Sequence, residues 1–263
     1  MQRGTLFWGS ILVVVGVVIL LDNLGIFGNI NVWGIIWPLF LIAIGAWILW
    51  GSTFRRSAEV EHASIPSEGA QKADLQVQHG AGRIIVNAIS TPGTLVEGDF
   101  GGGLDVQTKR DGDRVDVRMS VPVQFFPFSW YPGYSLDWNF GVSKDIPLAM
   151  EFETGASDNQ IDLTDLQVSE IKLKTGASST RLSLPAHAGA TRVSVESGAA
   201  SVDIHVPPGV AASIHSQSGL SSIDVDQTRF PKYGDAYKSE DYDTAANKAD
   251  IYLQIGVGSV TVR

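Results

Sequence analysis

The sequence predicts an all-β protein: a β-solenoid-like domain of stacked sheets with repeats of about 21 residues, preceded by a two-helix transmembrane hairpin. Three observations predict it. One phrase recurs four times between Met150 and Asp226, segments of the same form stand at both ends of the polar part of the chain, and the first 56 residues hold two long uncharged apolar runs.

The phrase reads MEFETGASDNQIDL, IKLKTGASSTRLSL, VSVESGAASVDIHV and IHSQSGLSSIDV, with anchor glycines Gly155, Gly176, Gly198 and Gly219. A period of this length belongs to stacked repeat architectures. Three residues before each glycine stand Phe152, Leu173, Val195 and Ser216, and five before stand Met150, Ile171, Val193 and Ile214. Six residues after come Ile161, Leu182, Ile204 and Val225. Alternation by two on both sides of a glycine predicts two short strands, each with one buried face, meeting at a corner. Glycine suits a corner because it accepts positive φ and lets neighbouring backbones approach. Stacking sets equivalent side chains one above another at about 4.8 Å, so each copy depends on its neighbours for a core. An antiparallel sandwich of hairpins would show the same alternation and is the competing architecture.

Residues 1–56 form the predicted membrane unit. The runs 6–21 (LFWGSILVVVGVVILL) and 32–51 (VWGIIWPLFLIAIGAWILWG) carry no charge and approach the length of a membrane span. No small-residue cleavage site precedes Asp22, so a retained hairpin is the better reading than a signal peptide. Arg3 precedes the first run and Arg55 and Arg56 follow the second, which places both ends, and with them the β domain, on the cytoplasmic side.

Residues 57–72 (SAEVEHASIPSEGAQK) are polar and read as a linker before a β domain over 73–263. LQVQHGAGRIIV repeats the phrase around Gly80, and IYLQIGVGSVTV repeats it around Gly256, which predicts the first and last rungs. Between the first rung and the regular repeats, three strand-like stretches lead to the aromatic insertion 122–141, PVQFFPFSWYPGYSLDWNFG. Its Phe126, Phe128, Trp130, Tyr131, Tyr134 and Trp138 are the candidate interaction surface, because aromatic side chains anchor both membrane interfaces and protein hot spots. A cap over the open end of the stack is the competing reading. A second insertion, 227–250, reads as an ordered loop with a short helical turn.

These segments carry a family likeness. RGTLFWGSILVVVGVVILLDNLGIF and WGIIWPLFLIAIGAWILW resemble the membrane segment of LiaF-like proteins, the cell-wall-active antibiotic response family. The TGAS and SGAA repeats, with the ending SEDYDTAANKADIYLQIGVGSVTV, are similar to the toast-rack or adhesin-type β domains that follow such segments. The resemblance implies a sensor or regulator of envelope stress that contacts a membrane-bound kinase or another membrane protein.

No enzyme chemistry is legible. The chain has no cysteine, no phosphate-binding loop and no nucleophile elbow. His62, His79, His187, His205 and His215 are scattered and read as surface residues, and Asp158, Asp162 and Asp165 lack the spacing of a calcium loop. No cofactor or metal is expected. The net charge is −9; residues 1–56 carry +2, which leaves −11 on the remainder and argues against nucleic acid as a partner. The expected partners are the lipid bilayer, a membrane or signalling protein, and in one reading further copies of the chain. The expected function is therefore a non-enzymatic, membrane-anchored interaction or sensing module of the bacterial envelope. A self-assembling scaffold or adhesin is the alternative, and a carbohydrate-active β-helix enzyme is the outside one.

Overall fold

The computed structural model describes residues 37–38, 41–42, 60–122 and 136–263. In the N-terminal unit Trp37, Pro38, Leu41 and Ile42 are helical. The rest of the expected hairpin lies outside the described residues, among which no helix is long and apolar enough to cross a membrane.

The β domain is built on six long strands: β2 (Lys72–Ile89), β7 (Leu148–Asp162), β8 (Val168–Ser183), β9 (Ala190–His205), β10 (Ala211–Val225) and β13 (Lys248–Val262). Each is parallel to its neighbours, in the spatial order β2-β7-β8-β9-β13-β10. An antiparallel sandwich is thereby excluded for this stack. A 15-residue strand such as β7 would span about 50 Å if straight. The five residues 163–167 that return the chain to the start of β8 reach at most about 18 Å. Each strand must therefore fold back on itself, and it does so at the glycine, giving two arms around one hydrophobic core.

Register confirms the inward positions. Leu75, Met150, Ile171, Val193, Ile251 and Ile214 align as one column on the first arm, and Val86, Ile161, Leu182, Ile204, Val262 and Val225 as another on the second. All twelve are buried, each contributing about 1.5–3 kcal/mol by leaving water. Between them runs a column that turns polar in the middle. Asn159 and Thr180 are buried there, and the Asn159 side-chain amide donates to Thr180 Oγ1 at 3.0 Å.

At the β2 end the rung divides. The first arm of β2 pairs with β5 (Arg114–Ser120), which pairs with β4 (Asp105–Asp111). The second arm pairs with β6 (Trp138–Ser143), which is followed outward by β3 (Thr94–Gly101) and β1 (Val60–Pro66). At the other end the hairpin of β11 (Lys232–Tyr233) and β12 (Ala236–Lys238) covers Ser213–His215 on the first arm of β10.

Four expectations are corrected here. The segment around Gly256 is not the last rung: β13 lies between β9 and β10 and pairs with both along its length. Residues 60–66, read as linker, form β1, because Ile65 turns into the core and Ala63 packs against it. The second insertion, expected as a loop, carries a β hairpin; the short helical turn expected there follows it, closed by Ala245 N on the Asp241 carbonyl at 2.8 Å. The corner glycines, finally, do not adopt positive φ.

Candidate binding trench

The corner glycines are needed for close approach. A Cβ on Gly176 would lie 2.7 Å from the Gly155 carbonyl oxygen, one on Gly198 would lie 2.9 Å from that of Gly176, and one on Gly256 would lie 2.6 Å from that of Gly198. Gly155 stands equally hard against the Gly80 carbonyl, and Gly219 is 2.7 Å from the Gly256 oxygen by the same measure. Positive φ belongs instead to Gly82 and Gly258, two residues further along β2 and β13.

With no side chain at the corner, the surface there is a trench of about 1240 Å³ running across all six strands. Its floor is glycine backbone together with the residues just before each glycine, among them His79, Thr154, Thr175, Ser197 and Ile255. One wall is a row of long polar side chains standing two residues before each glycine. In spatial order these are Gln78, Glu153, Lys174, Glu196, Gln254 and Gln217.

The wall is tied together at one end and open at the other. Gln78 donates to Glu153 at 3.0 Å, and Lys174 Nζ reaches Glu151 at 2.7 Å and Glu153 at 3.4 Å. The Lys174 ammonium holds the Glu151 carboxyl below the usual carboxylate range, and the same contacts raise Lys174 itself. Beneath the wall Thr175 donates to Ser197 Oγ at 2.8 Å, so the floor is stitched by hydroxyls. Glu196, Gln254 and Gln217 carry no such bonds among the described residues.

His79 departs from the pattern. The residue is 2% exposed, and neither ring nitrogen has a hydrogen-bond partner. It packs edge-on against Trp138 at 4.9 Å between ring centroids. Burial pushes its pKa below the ordinary imidazole value, and the Leu136 carbonyl and Asp137 offset this only in part. The surface placement read from the sequence is corrected: the position before the glycine lines the floor at His79, Thr154, Thr175, Ser197 and Ile255 alike. A neutral buried imidazole that charges more easily once unfolded makes the unfolded state bind more protons, so stability is lost as pH falls below 6.5. Denaturant unfolding at pH 7.5, 6.0 and 5.0 should show this as up to about 1.4 kcal/mol per pH unit, on top of the carboxylates' contribution. His79→Phe should flatten that part of the profile; an unchanged slope would refute the assignment.

Of the predicted interaction aromatics, Phe126, Phe128, Trp130, Tyr131 and Tyr134 lie outside the described residues. Trp138 is corrected. It is fully buried in β6, donates its indole N–H to the Gly101 carbonyl at 3.2 Å and packs edge-on against Phe100. The trench itself was not anticipated, although its signal is in the alignment of the copies: the residue two before the glycine is long and polar in all six. His205 and His215 lie on β9 and β10, separated by the intervening β13, and His215 stacks on Tyr252. Among the described residues no group of three His, Cys, Asp or Glu side chains is placed to hold a metal ion.

Residues 54–205 match the model of the N-terminal domain of toast_rack, DUF2154, and residues 7–62 match that of the LiaF transmembrane domain. The fold is similar to the crystal structure of a candidate cell adhesion protein from Clostridium sporogenes, with a TM-score of 0.71 and 18% identity over 78% of this chain and 98% of that one. A candidate adhesin from Bacteroides fragilis aligns with a TM-score of 0.28 and 8% identity over 79% of this chain and 98% of that one. None of the curated proteins matches the chain.

Proposed function

We propose that this chain, which belongs to the toast-rack (DUF2154) family, is a non-enzymatic interaction and sensing module in bacterial envelope homeostasis, held at the membrane by its N-terminal segment. One observation carries the reading. A match to a LiaF transmembrane domain over residues 7–62 runs directly into a β domain that carries a trench across its six long strands. In this reading the runs 6–21 and 32–51 span the bilayer as a hairpin, and the β domain faces the cytoplasm and contacts a membrane or signalling protein. Phe126, Phe128, Trp130, Tyr131 and Tyr134 supply an additional contact with that partner or with the lipid surface.

Accessibility in intact cells tests the topology. The chain has no cysteine, so a single Glu240→Cys substitution on the exposed turn after β12 gives an unambiguous label. Ser239 beside it is unsuitable, since it is buried and its hydroxyl accepts from Ala212 N. Protection from a membrane-impermeant maleimide until the cells are broken is the expected result. Labelling of intact cells would overturn the cytoplasmic placement.

A self-assembling scaffold is the second reading, favoured by the second arm of β10. Among the described residues that arm pairs only with β13, and it shows Leu220 83% exposed beside Val257 at 52%. Unpaired strand edges with apolar side chains recruit further strands. Sedimentation that grows with concentration, and that Leu220→Lys suppresses, would decide for this reading over a discrete module.

A further inference from the structure

We propose that the glycine-floored trench is a binding site for a linear, uncharged polysaccharide segment, lying across the strands with one hydroxyl satisfying His79. The proposal deepens the interaction-module reading and rests on it.

The shape comes first. Six strands at about 4.8 Å place the two ends of the trench about 24 Å apart, so an extended ligand fits and a compact one does not fill it. The trench runs across the strands. A peptide that recognises a sheet by its backbone lies along a strand edge, where the ladder hydrogen bonds are free; no such ladder is offered here. What the trench offers instead is a set of equivalent side chains at constant spacing, which suits a ligand built of repeating units.

The lining then selects the chemistry. The wall of Gln78, Glu153, Lys174, Glu196, Gln254 and Gln217 is three amides, two carboxylates and one ammonium already engaged by carboxylates. Amides donate and accept, as hydroxyl groups do. A wall of net negative charge in a chain of net charge −9 disfavours polyanions such as nucleic acid or acidic peptide. A lipid or an apolar helix would require a groove free of charged side chains, and this wall carries Glu153, Lys174 and Glu196.

His79 is the independent observation. A buried imidazole with both nitrogens unpartnered costs stability that an apolar residue at the same place would not. It lines the floor at the β2 end with both nitrogens just beneath the surface, and a small turn of the ring would let one ligand hydroxyl donate to its bare nitrogen or accept from its N–H. At the opposite end Glu196, Gln254 and Gln217 await partners, so the two ends of the trench hold the ligand and its self-bonded middle supports it.

Calorimetric titration of the full chain in detergent with cellohexaose, N-acetylchitohexaose and maltohexaose tests the site, with an uncharged Gly-Ser peptide of matching length alongside. Saturable binding of at least one glycan is expected, weakened ten-fold or more by the exposed pair Glu196→Ala with Gln254→Ala. A shift of the His79 ring 15N resonances on binding is expected too. Two outcomes would overturn the proposal in distinguishable ways. Binding of the peptide alone, lost in the same double variant, rejects the glycan but keeps the module and its trench. No saturable binding of any probe, by a chain that still unfolds cooperatively, rejects the trench as a site. The wider module reading is then decided separately by crosslinking the chain to its membrane neighbours in cells. Glycan binding that survives both Glu196→Ala/Gln254→Ala and His79→Phe places the sugar elsewhere and overturns the assignment as well.

Discussion

Gly176→Val should abolish the cooperative unfolding of the β domain. The added Cβ would sit 2.7 Å from the Gly155 carbonyl oxygen, a contact with backbone that no rotamer change relieves. Gly155 faces the Gly80 carbonyl on its other side so closely that a Cβ there would collide with it, which leaves the β7 backbone little room to shift. The β7 and β8 rungs would have to separate between the pairs Thr154↔Thr175 and Ala156↔Ala177 that flank the corner. We expect a loss of about 3 kcal/mol or more, which is a large share of the stability of a typical domain. Gly189→Ala is the control. Gly189 has a φ of +76° and nothing within 4 Å of an added Cβ, so only backbone strain of about 1–2 kcal/mol is expected. Guanidinium unfolding followed by circular dichroism compares the two, and wild-type stability for Gly176→Val would remove close approach as the reason for the glycine.

Trp138→Ala should cost about 3–5 kcal/mol, the range for emptying a buried aromatic site. The indole is fully buried between Phe100 and His79, and its removal also leaves the Gly101 carbonyl without its donor. Trp138→Phe keeps most of the packing and should lose about 1–2 kcal/mol. A docking residue would behave in the opposite way, with stability unchanged and partner binding lost. Thermal unfolding of the three proteins separates a core tryptophan from a surface one.

Much of the core was legible because it obeys one rule. Period-two alternation on each side of a glycine identified Met150, Ile171, Val193 and Ile214 on one arm and Ile161, Leu182, Ile204 and Val225 on the other, and all are buried. Trp138 went astray because the insertion was read by composition: the local alternation of Trp138, Asn139 and Phe140, in-out-in, already marks a strand. His79 could have been placed by comparison with Thr154, Thr175 and Ile255, which hold the same buried position in other copies. The slot of β13 could not. Its inward residues match those of its neighbours, so any rung could accept it, and the return 206–210, no longer than the 163–167 return between adjacent rungs, gives no sign that β10 lies one place further out. The trench was hidden for a related reason. A polar residue two before each glycine reads as a solvated face until the sheet folds at the corner and lines those residues up.

The position of β13 bears on how the chain can be made. A stack whose rungs follow chain order can be laid down as the polypeptide leaves the ribosome, each new rung docking on the last. Here β10 emerges before the strand that must separate it from β9, and that strand comprises the final residues of this sequence. Until synthesis reaches it, β9 and β10 have no shared partner and both present open backbone to the cell, the exposure that invites misassembly. Closing the domain thus waits for β13, and a nascent chain stalled short of Lys248 would be a substrate for chaperones and proteases rather than a shorter version of the same protein.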